Sequence, residues 1–141
     1  MNPISVLRTC LFFASIPLFF VNFALPVQSK ALGASALEIS GLFSLFSLSL
    51  LLMRPVIGIG VDRFGRRVFF LGALLFYAAA YTGYALAESV EVMYVARFFQ
   101  GLAAALMLIT VDTMTSDVVM PEKRGREMGA NVEVQVRASI V

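Results

Sequence analysis

Residues 58–67 read Gly-Ile-Gly-Val-Asp-Arg-Phe-Gly-Arg-Arg, and the fold turns on what this stretch is doing. Three glycines and the charged side chains of Asp62, Arg63, Arg66 and Arg67 stand between two long apolar runs, in a chain that is 60% hydrophobic. A water-soluble element has no need for so abrupt an interruption. A chain that leaves a bilayer, turns at its surface and re-enters does.

Composition points the same way. Only 14% of the residues are charged, against about 25% in an average soluble domain, and mean hydropathy is +0.88. The net charge of +2 gives no basic face for a nucleic acid, which is not an expected partner. Histidine is absent and Cys10 is the single cysteine. Zinc sites built from Cys and His are thereby excluded, as is an intramolecular disulfide. No metal and no cofactor is expected. Cys10 reads as an apolar helix residue, with palmitoylation as the alternative. An enzyme is not expected either, because the Ser and Thr residues lie in apolar segments with no histidine beside them.

Working outward, four segments are long and apolar enough to cross a membrane. Residues 9–29 carry no charge, and at 1.5 Å per residue they cover about 31 Å, enough for a hydrocarbon core. Arg8 before the run and Ala34-Ser35-Ala36 after it imitate a secretory signal, but the run is longer than a signal core and further spans follow. The second span, 39–61, is interrupted only by Arg54, and the third, 68–87, is uncharged. The fourth, 92–111, holds Arg97 and nine Leu, Ile, Phe or Val residues. An intramembrane Arg costs about 3 kcal/mol and each such apolar residue returns about 0.3 to 0.6, so the segment inserts. The intervening connections are about nine, six and four residues, which makes helical hairpins. Residues 112–128 read as a polar connector. From about 129 the chain opens a fifth span, with Glu133 and Arg137 paired at i, i+4, and ends within it, as a fragment of a longer protein would.

Orientation follows from the cations. Arg8, Arg63, Arg66, Arg67, Lys123, Arg124 and Arg126 fall on one side, and only Lys30 on the other. By the positive-inside rule the amino terminus and the 58–67 turn are cytoplasmic, which implies a multi-pass protein of the cell (inner) membrane.

The pattern Gly58-x-x-x-Asp62-Arg63-x-Gly65-Arg66-Arg67 resembles the signature loop between the second and third helices of the major facilitator superfamily. Arg97-x-x-Gln100-Gly101, followed by Ala103 to Ala105, is similar to the fourth-helix motif of its proton-coupled members, with Ala103 where that motif often has Gly. Asp117, Pro121, Arg124 and Gly125 resemble the connector after the fourth helix. The resemblance implies an all-α membrane protein with four complete transmembrane helices and the start of a fifth, part of a twelve-helix fold. It further implies secondary active transport of a small solute by alternating access, with protons as a coupling partner and efflux favoured. The partners are then the lipid bilayer, the solute and the remaining helices of the full-length transporter. Gly58, Asp62, Arg63, Gly65, Arg66, Arg67 and Asp117 would form the gate, the acid at Asp117 joining a charge relay with Asp62 and Arg66. Asn22, Arg97 and Gln100 would line the substrate or proton pathway. The alternative is a non-transporting truncated fragment, or a small four-helix membrane partner protein.

The residues themselves carry two readings in several places. Glycines in the turn permit close approach or unusual backbone angles. Asp62 can neutralise Arg63 or Arg66, or sit at a helix N-terminus. Arg97 is about 8 Å from the outer end of its span, so it either snorkels to the interface or faces a pathway, where it would hold down a carboxylate's proton affinity or bind an anion. The pathway reading is preferred. Ser15, Asn22 and Ser29 recur every seven residues, as a cavity lining or as interhelical hydrogen bonds. Asn22-Phe-Ala-Leu-Pro26 resembles the first-helix pattern of drug-export branches, although Pro17 stands where they carry an acid. Arg54 shares a face with Ser40, Ser44, Ser47 and Gly58 and is expected to pair structurally. Tyr77, Tyr81 and Tyr84 form a stripe expected to serve packing or to anchor at the interface, and Gly101 with Ala105 a helix-contact surface.

Overall fold

The computed structural model describes residues 2–140, and every regular element among them is helical. Four long helices, α1 (Pro3–Ala31), α2 (Ala36–Phe64), α3 (Arg66–Ala85) and α4 (Val90–Val118), precede a 3₁₀ turn at Pro121–Lys123 and a shorter α5 (Arg124–Ala138). The first four are long and apolar enough to cross a membrane. At 29 residues, α1, α2 and α4 each run about 44 Å, so they overshoot the hydrocarbon and the connections shrink accordingly.

Local chemistry explains each boundary. Pro3 opens α1 where its missing N–H is no loss. The helix closes on Gly33, at φ 87°, with Gly33 N–H donating to Lys30 O (3.0 Å) and Ala34 N–H to Ser29 O (2.9 Å). Those two bonds make a Schellman stop. Two residues on, Ser35 caps α2: its hydroxyl accepts from Glu38 N–H, while Ser35 N–H donates to the Glu38 carboxylate at 2.7 Å. The Ala34-Ser35-Ala36 run that imitates a cleavage site is thus the start of a helix.

One expectation changes here. Residues 112–118 are not a connector but the last two turns of α4. Nothing in Asp-Thr-Met-Thr-Ser-Asp-Val breaks a helix. The break falls at Met120, which is extended (φ −58°, ψ 146°) because Pro121 follows it. α5 then begins at Arg124, five residues before the span expected from 129.

The chain forms two compact units. One takes Leu25–Thr110 and the other the chain up to Ala24 with Val111 onward. In the first, α2 contributes Leu42, Ile57 and Val61 to the core, α3 Ala73, Tyr77, Ala80 and Tyr84, and α4 Met93, Ala96 and Ala103 to Leu106. Gly101 lets α4 meet α2 closely: a Cβ there would lie 2.8 Å from Ser49 Cβ and 3.0 Å from Phe46 O. The helix-contact reading of Gly101 is therefore observed. In the second unit Leu11, Ser15, Val111, Thr115, Asn131 and Ala138 are buried. Over half (56%) of the apolar window of α4 is buried, against 17% in α1 and in α2. The outer helices accordingly turn large apolar side chains outward, among them Phe13, Phe20, Phe23, Leu52, Ile59 and Leu75. In water that surface would be untenable; against lipid it is the expected one.

Candidate functional site

Two charged sites lie in the Leu25–Thr110 unit. The first is the turn at 58–67, which is tighter than the six-residue connection expected. A single residue, Gly65, joins α2 to α3 at φ 88°, ψ 153°. That backbone region is nearly restricted to glycine, and Gly65 N–H still closes the last turn onto Val61 O at 3.1 Å. Asp62 and Arg63 thus belong to the final turn of α2, and Arg66 and Arg67 to the first turn of α3. Arg63 lies over the Phe64 ring at 5.6 Å. Asp62 is exposed and makes no hydrogen bond or ion pair among the described residues, so it neutralises neither Arg63 nor Arg66. A carboxylate at a helix C-terminus is poorly placed against the macrodipole. Gly58 has no atom within 4 Å of where its Cβ would be, so the close approach expected of it is not made in this structure.

The second site is the buried arginine. Arg97 does not snorkel: it is 1% exposed. Its Nε donates to Leu42 O at 3.2 Å and its Nη1 to Gln100 Oε1 at 2.6 Å. The guanidinium lies against the rings of Phe46 (4.4 Å) and Phe43 (5.1 Å). Burying a cation is costly unless its donors are satisfied, and carbonyl acceptors with π faces meet that need. Gln100, fully buried, accepts a second bond from the Tyr84 hydroxyl at 2.8 Å. Gln28 Nε2 donates to Tyr84 O at 2.9 Å, fixing the C-terminal end of α3. Arg97 and Gln100, adjacent on one turn of α4, are therefore brought together, and Tyr84 joins them although its stripe reads as packing. Only its spacing from Tyr77 and Tyr81 could have pointed to it; those two rings stack at 5.6 Å.

The remaining predicted residues fall as follows. Asn22 is half-buried on α1 and Asp117 is exposed on the last turn of α4, both in the other unit. Ser15 and Ser29 are buried and bond back to Leu11 O and Leu25 O at 2.7 Å each, Ser29 also facing Met93 Sδ at 3.6 Å. That is a packed stripe rather than an open cavity wall at those two positions. Arg54 is exposed and makes no pair among the described residues, so the structural pairing expected of it is not seen. In the second unit a cluster that the sequence does not announce ties three helices. Arg8 Nη2 meets Glu127 Oε2 at 2.5 Å, Arg8 Nε donates to Asn131 Oδ1 at 3.4 Å, and Asn131 Nδ2 donates to Thr115 Oγ1 at 3.0 Å. Among the described residues there is no cluster of side chains suited to a metal.

A helical hairpin turned on one glycine between charged helix ends, and an arginine on α4 sealed among apolar helices, fit a polytopic membrane protein of the transporter class. Residues 8–132 match the model of the Major Facilitator Superfamily, and the chain belongs to that family. It is 25% identical over 126 residues to "Multidrug resistance protein 1" of Bacillus subtilis, covering 89% of this chain and 32% of that protein. It is 31% identical over 110 residues to "Putative multidrug resistance protein MdtD" of Klebsiella pneumoniae, covering 78% of the chain and 23% of that protein. The chain thus spans about a third or less of the length of these curated relatives. It is a multi-pass membrane protein in contact with lipid, from a family that handles small solutes.

Proposed function

We propose that these helices serve a secondary active transporter of the cell membrane that exports a drug-like small solute by alternating access, coupled to protons. The amino terminus and the α2–α3 turn lie in the cytoplasm, in keeping with the seven cations on that side. The observation that carries the reading is the turn itself. Gly65, in a conformation other residues avoid, sets the end of α2 against the start of α3 and leaves Asp62 exposed at a helix C-terminus. A carboxylate so placed favours a positive pole elsewhere, engaged in one arrangement of helices and released in the other. Gly58, Asp62, Arg63, Gly65, Arg66 and Arg67, with Asp117 as a further acid, make up this gate, closed against helices from the rest of the transporter. Asn22, Arg97 and Gln100 serve the solute or proton pathway. The relatives are named for multidrug resistance, and drug export is one way to confer it.

The test is energy-dependent efflux of ethidium from cells producing the full-length transporter, with Asp62→Asn alongside. The variant is expected to insert as well as wild type and to lose at least about tenfold in efflux rate, the weight of one charge-assisted contact. Wild-type efflux in Asp62→Asn would remove Asp62 from the gate. No efflux of ethidium or of other lipophilic cations by the wild-type protein would overturn the export reading.

A further inference from the structure

We propose that Tyr84 is a positioning residue that holds the Gln100–Arg97 pair in its sealed geometry; this rests on the reading of Arg97 as a pathway residue. Gln100 Oε1 receives two donors, Tyr84 Oη at 2.8 Å and Arg97 Nη1 at 2.6 Å. Rotating the amide by half a turn would put its NH₂ against the guanidinium, donor against donor, because Arg97 has no acceptor to offer. The orientation is therefore locked, and it has a cost. Gln100 Nε2 and the Tyr81 hydroxyl are buried without a hydrogen-bond partner among the described residues. Leaving a buried amide nitrogen unpaired forfeits about as much as a lost hydrogen bond. The arrangement tolerates this because Oε1 is needed where it is.

Tyr84 is itself fixed from a different helix. Its side chain is packed at 5% exposure, and its carbonyl accepts from Gln28 on α1. The hydroxyl thus reports the position of the C-terminal ends of α1 and α3 to the guanidinium on α4. Tyr77, two turns earlier on the same face and buried at 7% exposure, stacks on Tyr81 but makes no hydrogen bond to Gln100. It provides an internal control of equal size and burial.

The experiment compares Tyr84→Phe, Tyr77→Phe, Gln100→Ala, Arg97→Ala and the Tyr84→Phe/Gln100→Ala double variant of the full-length transporter. Rates of ethidium transport in inverted membrane vesicles are normalised to folded protein by size exclusion. Tyr84→Phe should lower the rate about five- to tenfold, the weight of one hydrogen bond in a charged network, and Tyr77→Phe should leave it unchanged. In the Gln100→Ala background the Tyr84→Phe effect should fall below about twofold, since Tyr84 acts through Gln100. Equal effects of Tyr84→Phe in both backgrounds, or equal losses in Tyr84→Phe and Tyr77→Phe, would overturn the positioning role and mark Tyr84 as packing. Loss in Arg97→Ala with wild-type rates in Tyr84→Phe would overturn it while sparing Arg97. Wild-type rates in Arg97→Ala would instead remove Arg97 from the pathway. Hydrogen exchange at Arg97 Nε–H, followed by NMR in nanodiscs, reads the same geometry without transport. It should quicken at least tenfold in Tyr84→Phe and not in Tyr77→Phe, and equal exchange in the two would refute the proposal.

Discussion

Replacing Gly65 by Ala should destabilise the helical hairpin by about 1–3 kcal/mol, the strain of a non-glycine residue in this backbone region. The residue sits at φ 88°, ψ 153°, and no atom lies within 4 Å of its Cβ position. No clash contributes, so the whole effect is backbone strain. Gly58 belongs to the same motif and also has open space at its Cβ position, but it lies inside α2. There Ala should be neutral or stabilise by up to about 1 kcal/mol, because it restrains the unfolded chain and favours helix. The two single-methyl substitutions, seven residues apart, thus carry opposite signs. Unfolding of the purified protein in mixed micelles of rising SDS fraction, followed by loss of helical circular dichroism, gives both values. A Gly65→Ala change within about 0.5 kcal/mol of wild type, the usual range of a benign surface substitution, would refute the strain argument. So would a larger loss at Gly58 than at Gly65.

Two further predictions concern the charged clusters. Arg97→Met should leave folding stability within about 1 kcal/mol of wild type, since apolar replacement of a buried ion is often neutral, whereas Gln100→Leu should cost about 2 kcal/mol by taking an acceptor from a buried guanidinium; the same SDS titration decides. A greater loss in Arg97→Met than in Gln100→Leu would contradict the account of the burial. At the second cluster, the Arg8 and Glu127 side chains are 27% and 23% exposed, so solvent screens the pair and Glu127→Ala should cost only about 1 kcal/mol. Exchanging the two as Arg8→Glu/Glu127→Arg should recover at least half of the loss of either single swap, measured by thermal unfolding in detergent; strict additivity would show that the pair is not coupled.

The spans were legible because a bilayer makes secondary structure a local problem. In hydrocarbon each helix must satisfy its own backbone, so a continuous apolar run such as 9–29 is enough to announce α1. The helix ends were less so. Residues 112–118 read as a connector on polarity alone, yet they hold no breaker, and the helix runs on until Pro121 stops it. The Gly65 turn could be read as a turn, but the sequence could not say that one residue suffices.

Arg97 marks the division most clearly. The sequence by itself determined that a cation is carried into the fourth span, that Gln100 follows it three residues on, and that the family is that of transporters. It left open whether the guanidinium reaches for the interface or turns inward. The Leu42 carbonyl and the Phe43 and Phe46 rings on α2 decide that question by supplying an acceptor and π faces, and Tyr84 on α3 by donating to Gln100, all more than a dozen residues away in sequence. Arg8 and Glu127, 119 positions apart, pair for the same reason. Insertion depends on the summed composition of one segment, which a sequence displays. The fate of a charge within the membrane depends on which neighbours reach it, and only the packing of separate helices settles that.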